Sequence, residues 1–251
     1  MSEILTETAS SFDGTELAVH RLGKGRPVLL LHGLFSSAEV NWIKYGHAQM
    51  LADAGFEAIM PDLRAHGQSD APHDAEAYPP DVLVRDAFAL VERLGLTDYD
   101  LVGFSLGART AARAVIEGLA PRRLVLAGMG IEGLSNWRQR SAVFLDAVER
   151  FDEVKRGEPA YFPVQFMKTM KIDRIAAKLL LQSVEDIDPA SLDRIAMPTL
   201  VLAGEDDRDN GSPADLADAL PHARLEQVPG NHMGCVTKPA LGRAITGFLA
   251  A

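Results

Sequence analysis

The chain has 251 residues, 47% of them hydrophobic and 24% charged, with 21 glycines and 14 prolines; this is enough apolar material for one large domain and excludes a disordered or low-complexity protein. The 25 Lys and Arg against 35 Asp and Glu leave a formal charge of -10, so neither nucleic acid nor an anionic membrane is expected as the main partner. The single cysteine, Cys235, excludes an internal disulfide and a thiolate cluster for zinc or iron-sulfur, and predicts a reducing, cytoplasmic setting.

The amino terminus, MSEILTETASSFDG, has no basic flank followed by an apolar stretch, and no apolar run approaches the ~20 residues that span a bilayer, so neither export nor membrane insertion is expected. Ile4 to Phe12 and Thr15 to Leu22, joined by Asp13-Gly14, form an expected antiparallel hairpin at a sheet edge, with the next reversal at Gly23 to Gly25. Val28 to Leu31 is wholly apolar and ends in His32-Gly33, the pattern of a central strand buried on both faces. Trp42 to Ala54 is helical up to Gly55, Phe56 to Met60 is a strand ended by Pro61-Asp62, and Asp81 to Leu94 is helical up to Gly95. A strand at Asp100 to Gly103, an Ala-rich helix over Leu106 to Leu119 and a strand at Arg123 to Ala127 continue the rhythm of a mostly parallel α/β sheet.

The rhythm breaks after Gly130. Helical candidates occupy Asn136 to Val154, Pro159 to Met170 and Ile172 to Ser183, with no strand before Met197, and a structureless loop of that length would be unusual. A helical insertion over 131–197, packed on the sheet and gating a pocket, is the expectation. Strand Thr199 to Ala203, helix Pro213 to Leu220, strand Arg224 to Val228 and helix Pro239 to Leu249 follow, and no linker divides 1–251 into two domains.

Gly103-Phe104-Ser105-Leu106-Gly107 sits between an apolar strand and a helix. Glycines on both sides of a serine let strand and helix approach at a sharp turn that presents the hydroxyl, which is the context of a nucleophile rather than of a cap. A serine near its free pKa needs a base, and the base an acid. Two later loops supply them, Glu205-Asp206-Asp207 and Asn231-His232, each following a predicted strand at the edge where α/β sheets bind ligands.

In this order the chain resembles the α/β-hydrolase superfamily, in the branch of small bacterial carboxylesterases and cofactor-free haloperoxidases or perhydrolases. The resemblance runs through His32-Gly33, the segment Pro61-Asp62-Leu63-Arg64-Ala65-His66-Gly67-Gln68-Ser69, the serine elbow, Gly204 with Asp207, and Gly230-Asn231-His232. It implies the α/β-hydrolase fold, a mostly parallel central sheet with helices on both faces and a small helical cap over 131–197. It also implies Ser105 as nucleophile, His232 as base and then acid, Asp207 as the acid orienting His232, and backbone N–H groups of Leu34 and Leu106 as an oxyanion hole. The residues alone leave Asp206 and Asp207 open; the family pattern, with its acid three residues beyond the glycine, selects Asp207.

Other titratable groups have structural readings. His32 is expected to hydrogen-bond nearby loops, His66 to fix the loop beside the pocket, Cys235 to pack as a small hydrophobe, and His20, His47, His73 and His222 to have local roles. Asp206, Asp207 and Asp209 lack the glycine and terminal glutamate of a calcium loop, and Gly23 to Gly25 lacks the lysine of a phosphate loop, so no metal or cofactor is expected. Phe35, Trp42, Phe104, Met129, Trp137, Phe144, Phe162, Phe166 and Met167 are candidates for a mainly apolar pocket, which points to a small uncharged or weakly polar ester. Ester cleavage through an acyl-enzyme is the leading expectation; thioesters, lactones, carbon-carbon bonds and peracid formation are alternatives on the same triad, and a ligand receptor without turnover is an alternative of another class. Epoxide hydrolase and dehalogenase branches carry an aspartate where this chain has Ser105.

Overall fold

The computed structural model describes residues 3–251. Strands β1 (Leu5–Ser10), β2 (Glu16–Gly23), β3 (Arg26–Leu31), β4 (Phe56–Pro61), β5 (Asp100–Phe104), β6 (Leu124–Ala127), β7 (Thr199–Gly204) and β8 (Ala223–Val228) make one sheet in the order β1-β2-β4-β3-β5-β6-β7-β8. β2 runs antiparallel to both β1 and β4, and every other neighbouring pair is parallel. From β3 the chain steps to β4 on one side and then crosses back to β5 on the other, so the carboxyl ends of β3 and β5 border the switch point where an α/β sheet leaves a crevice.

Period-two alternation explains why the central strands are apolar throughout. Leu29 and Leu31, Leu101, Leu124 and Leu126, and Val201 enter the core on one face, while Val28 and Leu30, Val102 and Phe104, Val125 and Ala127, and Leu200 and Leu202 enter the core on the other. The helices are α1 (His47–Asp53), α2 (Val82–Arg93), α3 (Leu106–Ile116), α4 (Ile131–Ser135), α5 (Trp137–Glu149), α6 (Tyr161–Met170), α7 (Arg174–Ser183), α8 (Pro213–Ala219), α9 (His232–Val236) and α10 (Pro239–Ala250). α1, α9 and α10 pack on the second face; α2, α3, α8 and the helices α4–α7 between β6 and β7 contribute to the first. No helix among the described residues is long and apolar enough to cross a membrane.

Two expected helices differ in detail. The helix from Trp42 to Ala54 is broken: Glu39–Ile43 forms a π-helical turn closed by the Lys44 N–H to the Glu39 carbonyl at 2.8 Å, and Gly46, at φ 79°, separates it from α1. The helix expected over Asn136 to Val154 is α5, which ends at Glu149, and the separate short helix α4 precedes it. The short helix α9 and a 3₁₀ segment at Pro189–Arg194 escape the periodicity because they are too short to show one.

The loop after β4 is locked to the rest by ionic groups. Arg64, wholly buried, pairs with Asp86 of α2 at 2.7 Å and with Asp13 of the β1–β2 turn at 2.6 Å. Asp62 accepts the Ala38 and Gln68 amides at 2.8 Å each and faces His20 at 3.3 Å. Burial alone would raise the Asp62 pKa, but these donors and the nearby His32 outweigh it and hold the carboxyl below its usual range. A group whose folded pKa is depressed stabilises above its unfolded value of about 3.9 and loses that contribution as pH falls through the folded one. Asp62→Asn should therefore cost about 2–4 kcal/mol in urea unfolding at pH 7. The gap to the parent should narrow below about pH 4; a gap independent of pH would assign the loss to shape rather than charge.

Candidate active site

The turn from β5 into α3 places Ser105 at φ 54° and ψ -114°, a conformation that a residue other than glycine adopts only under strain. Gly107 makes the turn possible: a Cβ there would lie 2.1 Å from the Leu31 carbonyl oxygen, so any side chain would push α3 off β3. The Ser105 N–H donates to the Ala127 carbonyl at 2.8 Å, which ties the elbow to the end of β6.

The acid and imidazole arrive from β7 and β8. A Cβ on Gly204 would lie 2.1 Å from the Gly230 carbonyl oxygen, so the loops carrying the two groups pack backbone against backbone. The Asp207 N–H closes a turn to the Gly204 carbonyl, and its buried carboxylate accepts the Asp209 N–H at 3.0 Å through Oδ1 and faces His232 Nδ1 at 2.8 Å through Oδ2. Asp206, adjacent in sequence, is exposed and uses its N–H on the Gly230 carbonyl. His232 Nε2 lies 3.0 Å from Ser105 Oγ, and the ring rests 5.1 Å from the Phe104 ring. Ser105, His232 and Asp207 are thus brought together in the arrangement the sequence suggested. Burial opposes the Asp207 charge, yet the hydrogen bond and charge of His232 hold its pKa below the usual carboxylate range.

The oxyanion-loop candidates stand beside them. Leu34 and Leu106 border the same pocket as Ser105, and among the described residues neither main-chain N–H has a hydrogen-bond partner. The loop of Leu34 is held from both flanks: Gly33 N–H donates to Asn41 Oδ1 at 3.1 Å, and Phe35 N–H donates to His66 Nε2 at 2.9 Å. His66 Nδ1 donates in turn to the Arg64 carbonyl, while His32 donates through Nδ1 to the Gly33 carbonyl and accepts the Leu63 N–H through Nε2. Accepting an N–H requires a bare ring nitrogen, so both rings are neutral; burial and the neighbouring His32 push His66 down to about 3.

The pocket encloses about 490 Å³ and is lined by the predicted Phe35, Phe104, Met129, Trp137, Phe144, Phe162 and Phe166. Phe144 lies 6.0 Å edge-on to Phe35 and 6.4 Å from the Trp137 ring, while Phe162 is 79% exposed. Trp42 does not reach it. The π-helical turn rotates Trp42 onto the opposite face of the sheet, into the core with Val28 and Leu30, and presents Asn41 to the pocket instead. Met167 is likewise a core residue, because α6 turns Phe166 toward the pocket and Met167 into the buried core.

Sequence reasoning missed Asn41, Arg109 and Arg140, all of which line the pocket. Only Arg109 left a signal, one helical turn beyond Ser105 on an otherwise Ala-rich buried face. Cys235 is buried, and burial together with the Asp207 charge pushes its thiol up to about 12, so it is no competing nucleophile at neutral pH. Asp207, Asp209 and His232 offer ligand atoms within 4.8 Å of one another, but the Asp207 and His232 atoms that face each other already make a hydrogen bond.

A doubly wound sheet carrying a serine elbow after β5, with the acid and imidazole loops following β7 and β8, has the architecture of the α/β hydrolases. The family described as alpha/beta hydrolase fold matches residues 26–170, and the chain belongs to it. Epoxide hydrolase 2 of Siraitia grosvenorii is 36% identical over 110 residues, 43% of this chain, and the match spans only 34% of the length of that enzyme. Non-heme chloroperoxidase CPO-A1 of Kitasatospora aureofaciens is 25% identical over 267 residues, covering 90% of this chain and 92% of that one. Among solved structures, the esterase EaEST from Exiguobacterium antarcticum shares the fold with a TM-score of 0.79 at 20% identity, covering 98% of this chain and 100% of the esterase.

Proposed function

We propose that this protein is a serine hydrolase of carboxylic esters, with Ser105, His232 and Asp207 as its catalytic triad and the helices of 131–197 as a cap over the acyl pocket. The observation that carries the reading is the continuous relay at the pocket wall, Asp207 Oδ2 to His232 Nδ1 at 2.8 Å and His232 Nε2 to Ser105 Oγ at 3.0 Å. Ser105 Oγ attacks the ester carbonyl carbon while its proton passes to Nε2. The Leu34 and Leu106 N–H groups receive the negative oxygen, aided by the start of α3. As the carbonyl re-forms, the carbon-oxygen bond to the alcohol breaks and His232 returns its proton to the departing oxygen. Water then gives a proton to His232 and attacks the acyl carbon, releasing the acid and restoring the serine hydroxyl.

The likeness to a non-heme chloroperoxidase supports a second outlet, in which hydrogen peroxide replaces water on the acyl-enzyme and a peracid leaves. Epoxide opening is disfavoured: Ser105 stands where that chemistry needs a carboxylate. A panel of 4-nitrophenyl esters, matched thioesters, lactones and styrene oxide tests the reading. Ester turnover that begins with a burst of about one nitrophenol per chain is expected; epoxide turnover with inert esters would overturn it.

Phe144 sets the depth of the acyl site. Phe144→Ala should shift preference toward longer acyl chains, raising kcat/KM for octanoate relative to acetate by about tenfold. Equal losses for both esters, with a lowered melting temperature, would make Phe144 a packing residue.

A further inference from the structure

Two guanidinium groups border the pocket that holds Ser105, and neither is in an ion pair among the described residues, whereas the framework arginines Arg26, Arg64 and Arg113 all are. Arg140 of α5 is half-buried and donates one hydrogen bond through Nη1 to the main-chain oxygen of Asp209, which leaves its Nε and Nη2 without partners. Arg109 of α3 is only 2% exposed. Its Nη1 donates to the carbonyls of Gly133 and Leu134, its guanidinium lies 5.4 Å from the Trp137 ring, and its Nη2 has no partner at all.

A charge withdrawn from water without a counter-charge is costly, and the nearby carboxylates are largely engaged. Both oxygens of Asp207 are occupied, by Asp209 N–H and by His232. Asp81, across a small void from Arg109, is paired with Arg113 at 3.1 Å. Among the described residues Asp209 is the one acidic side chain lining the pocket, set against two arginines, and its charge and that of Asp207 act on Arg140. Two lining arginines against one lining carboxylate, in a chain of net charge -10, run against the overall composition, which makes them a feature of the site.

We propose that the pocket selects esters carrying a carboxylate remote from the scissile carbonyl, with Arg140 pairing that carboxylate and Arg109 reinforcing the positive field from beneath Trp137. The apolar lining alone points to an uncharged substrate; with the two arginines beside it, that lining, Phe144 and Met129 among it, suits the aliphatic spacer between the two ends. The inference rests on the ester reading of Ser105, and its test separates the two. The 4-nitrophenyl hemiester of adipic acid is compared with its isosteric neutral amide, 4-nitrophenyl adipamate, as a kcat/KM ratio that cancels differences in folded fraction.

The parent should favour the anionic ester by about tenfold or more, and Arg140→Gln should lower that ratio by about tenfold to a hundredfold. Arg109→Met should lower it by a smaller factor, and added salt should weaken the preference in the parent. A parent ratio near one, or a ratio that Arg140→Gln leaves unmoved, would overturn the carboxylate site while leaving ester hydrolysis standing. Calorimetric titration with 6-amino-6-oxohexanoate and with adipamide needs no turnover. Arg140-dependent binding of the anion alone, in a protein that cleaves neither ester, would keep the anion site and discard the ester reading.

Discussion

Ser105→Ala should yield a folded protein whose turnover of a small aryl ester is lower by about 10⁴ to 10⁶. The expectation follows from where the hydroxyl stands, 3.0 Å from His232 Nε2 at the head of α3, with two unpartnered main-chain N–H groups beside it. Alanine keeps the elbow backbone and removes only Oγ, so the oxyanion donors and the pocket survive and leave a residual rate above water. The strained backbone at φ 54° persists with alanine, and unfolding stability should change by less than about 1 kcal/mol. Intact-mass analysis after treatment with a fluorophosphonate should add one adduct to the parent and none to the variant. Labelling of the variant with activity retained would move the nucleophile elsewhere.

Asp207→Asn should lower single-turnover acylation by about 10³ to 10⁴, as in the serine-protease case where the same change stabilises the wrong imidazole tautomer. Asp207 Oδ2 takes the Nδ1 proton of His232 and so keeps Nε2 bare toward Ser105; an amide nitrogen placed there would donate to Nδ1 and put the proton on Nε2. Asp206→Asn should change acylation by less than about threefold, because that side chain is exposed and only its main chain meets the His232 loop, at the Gly230 carbonyl. The paired variants also test charge against shape, since both remove one negative charge from the same turn. A severe defect in Asp206→Asn beside normal acylation by Asp207→Asn would shift the acid one position upstream.

The strands around the site were legible because burial on both faces leaves no polar alternative: Val28 to Leu31, Leu200 to Ala203 and the Asp100 to Gly103 stretch can only sit in the middle of a covered sheet. The elbow was legible because close approach of a helix to a strand demands glycine, a requirement written in single residues. Asp207 was separable from Asp206 only through the family register, and the tertiary structure adds the reason: the turn closed by Asp207 N–H on Gly204 buries one carboxylate and exposes its neighbour.

Within this chain the sequence by itself determined the α/β class, the order of the strands' apolar runs, the elbow serine and the two late loops that carry an acid and an imidazole, since each of these rests on local spacing or on a short motif. The tertiary structure alone decided which aromatics line the pocket and which fill the core. Trp42 and Met167 are as apolar as Phe144 and Phe166, and a π-helical turn before α1 and the rotation of α6 separate them. It alone placed Arg109 and Arg140 without ion-pair partners at the wall around Ser105, because whether a charge is paired depends on groups far apart in the chain that no local pattern records.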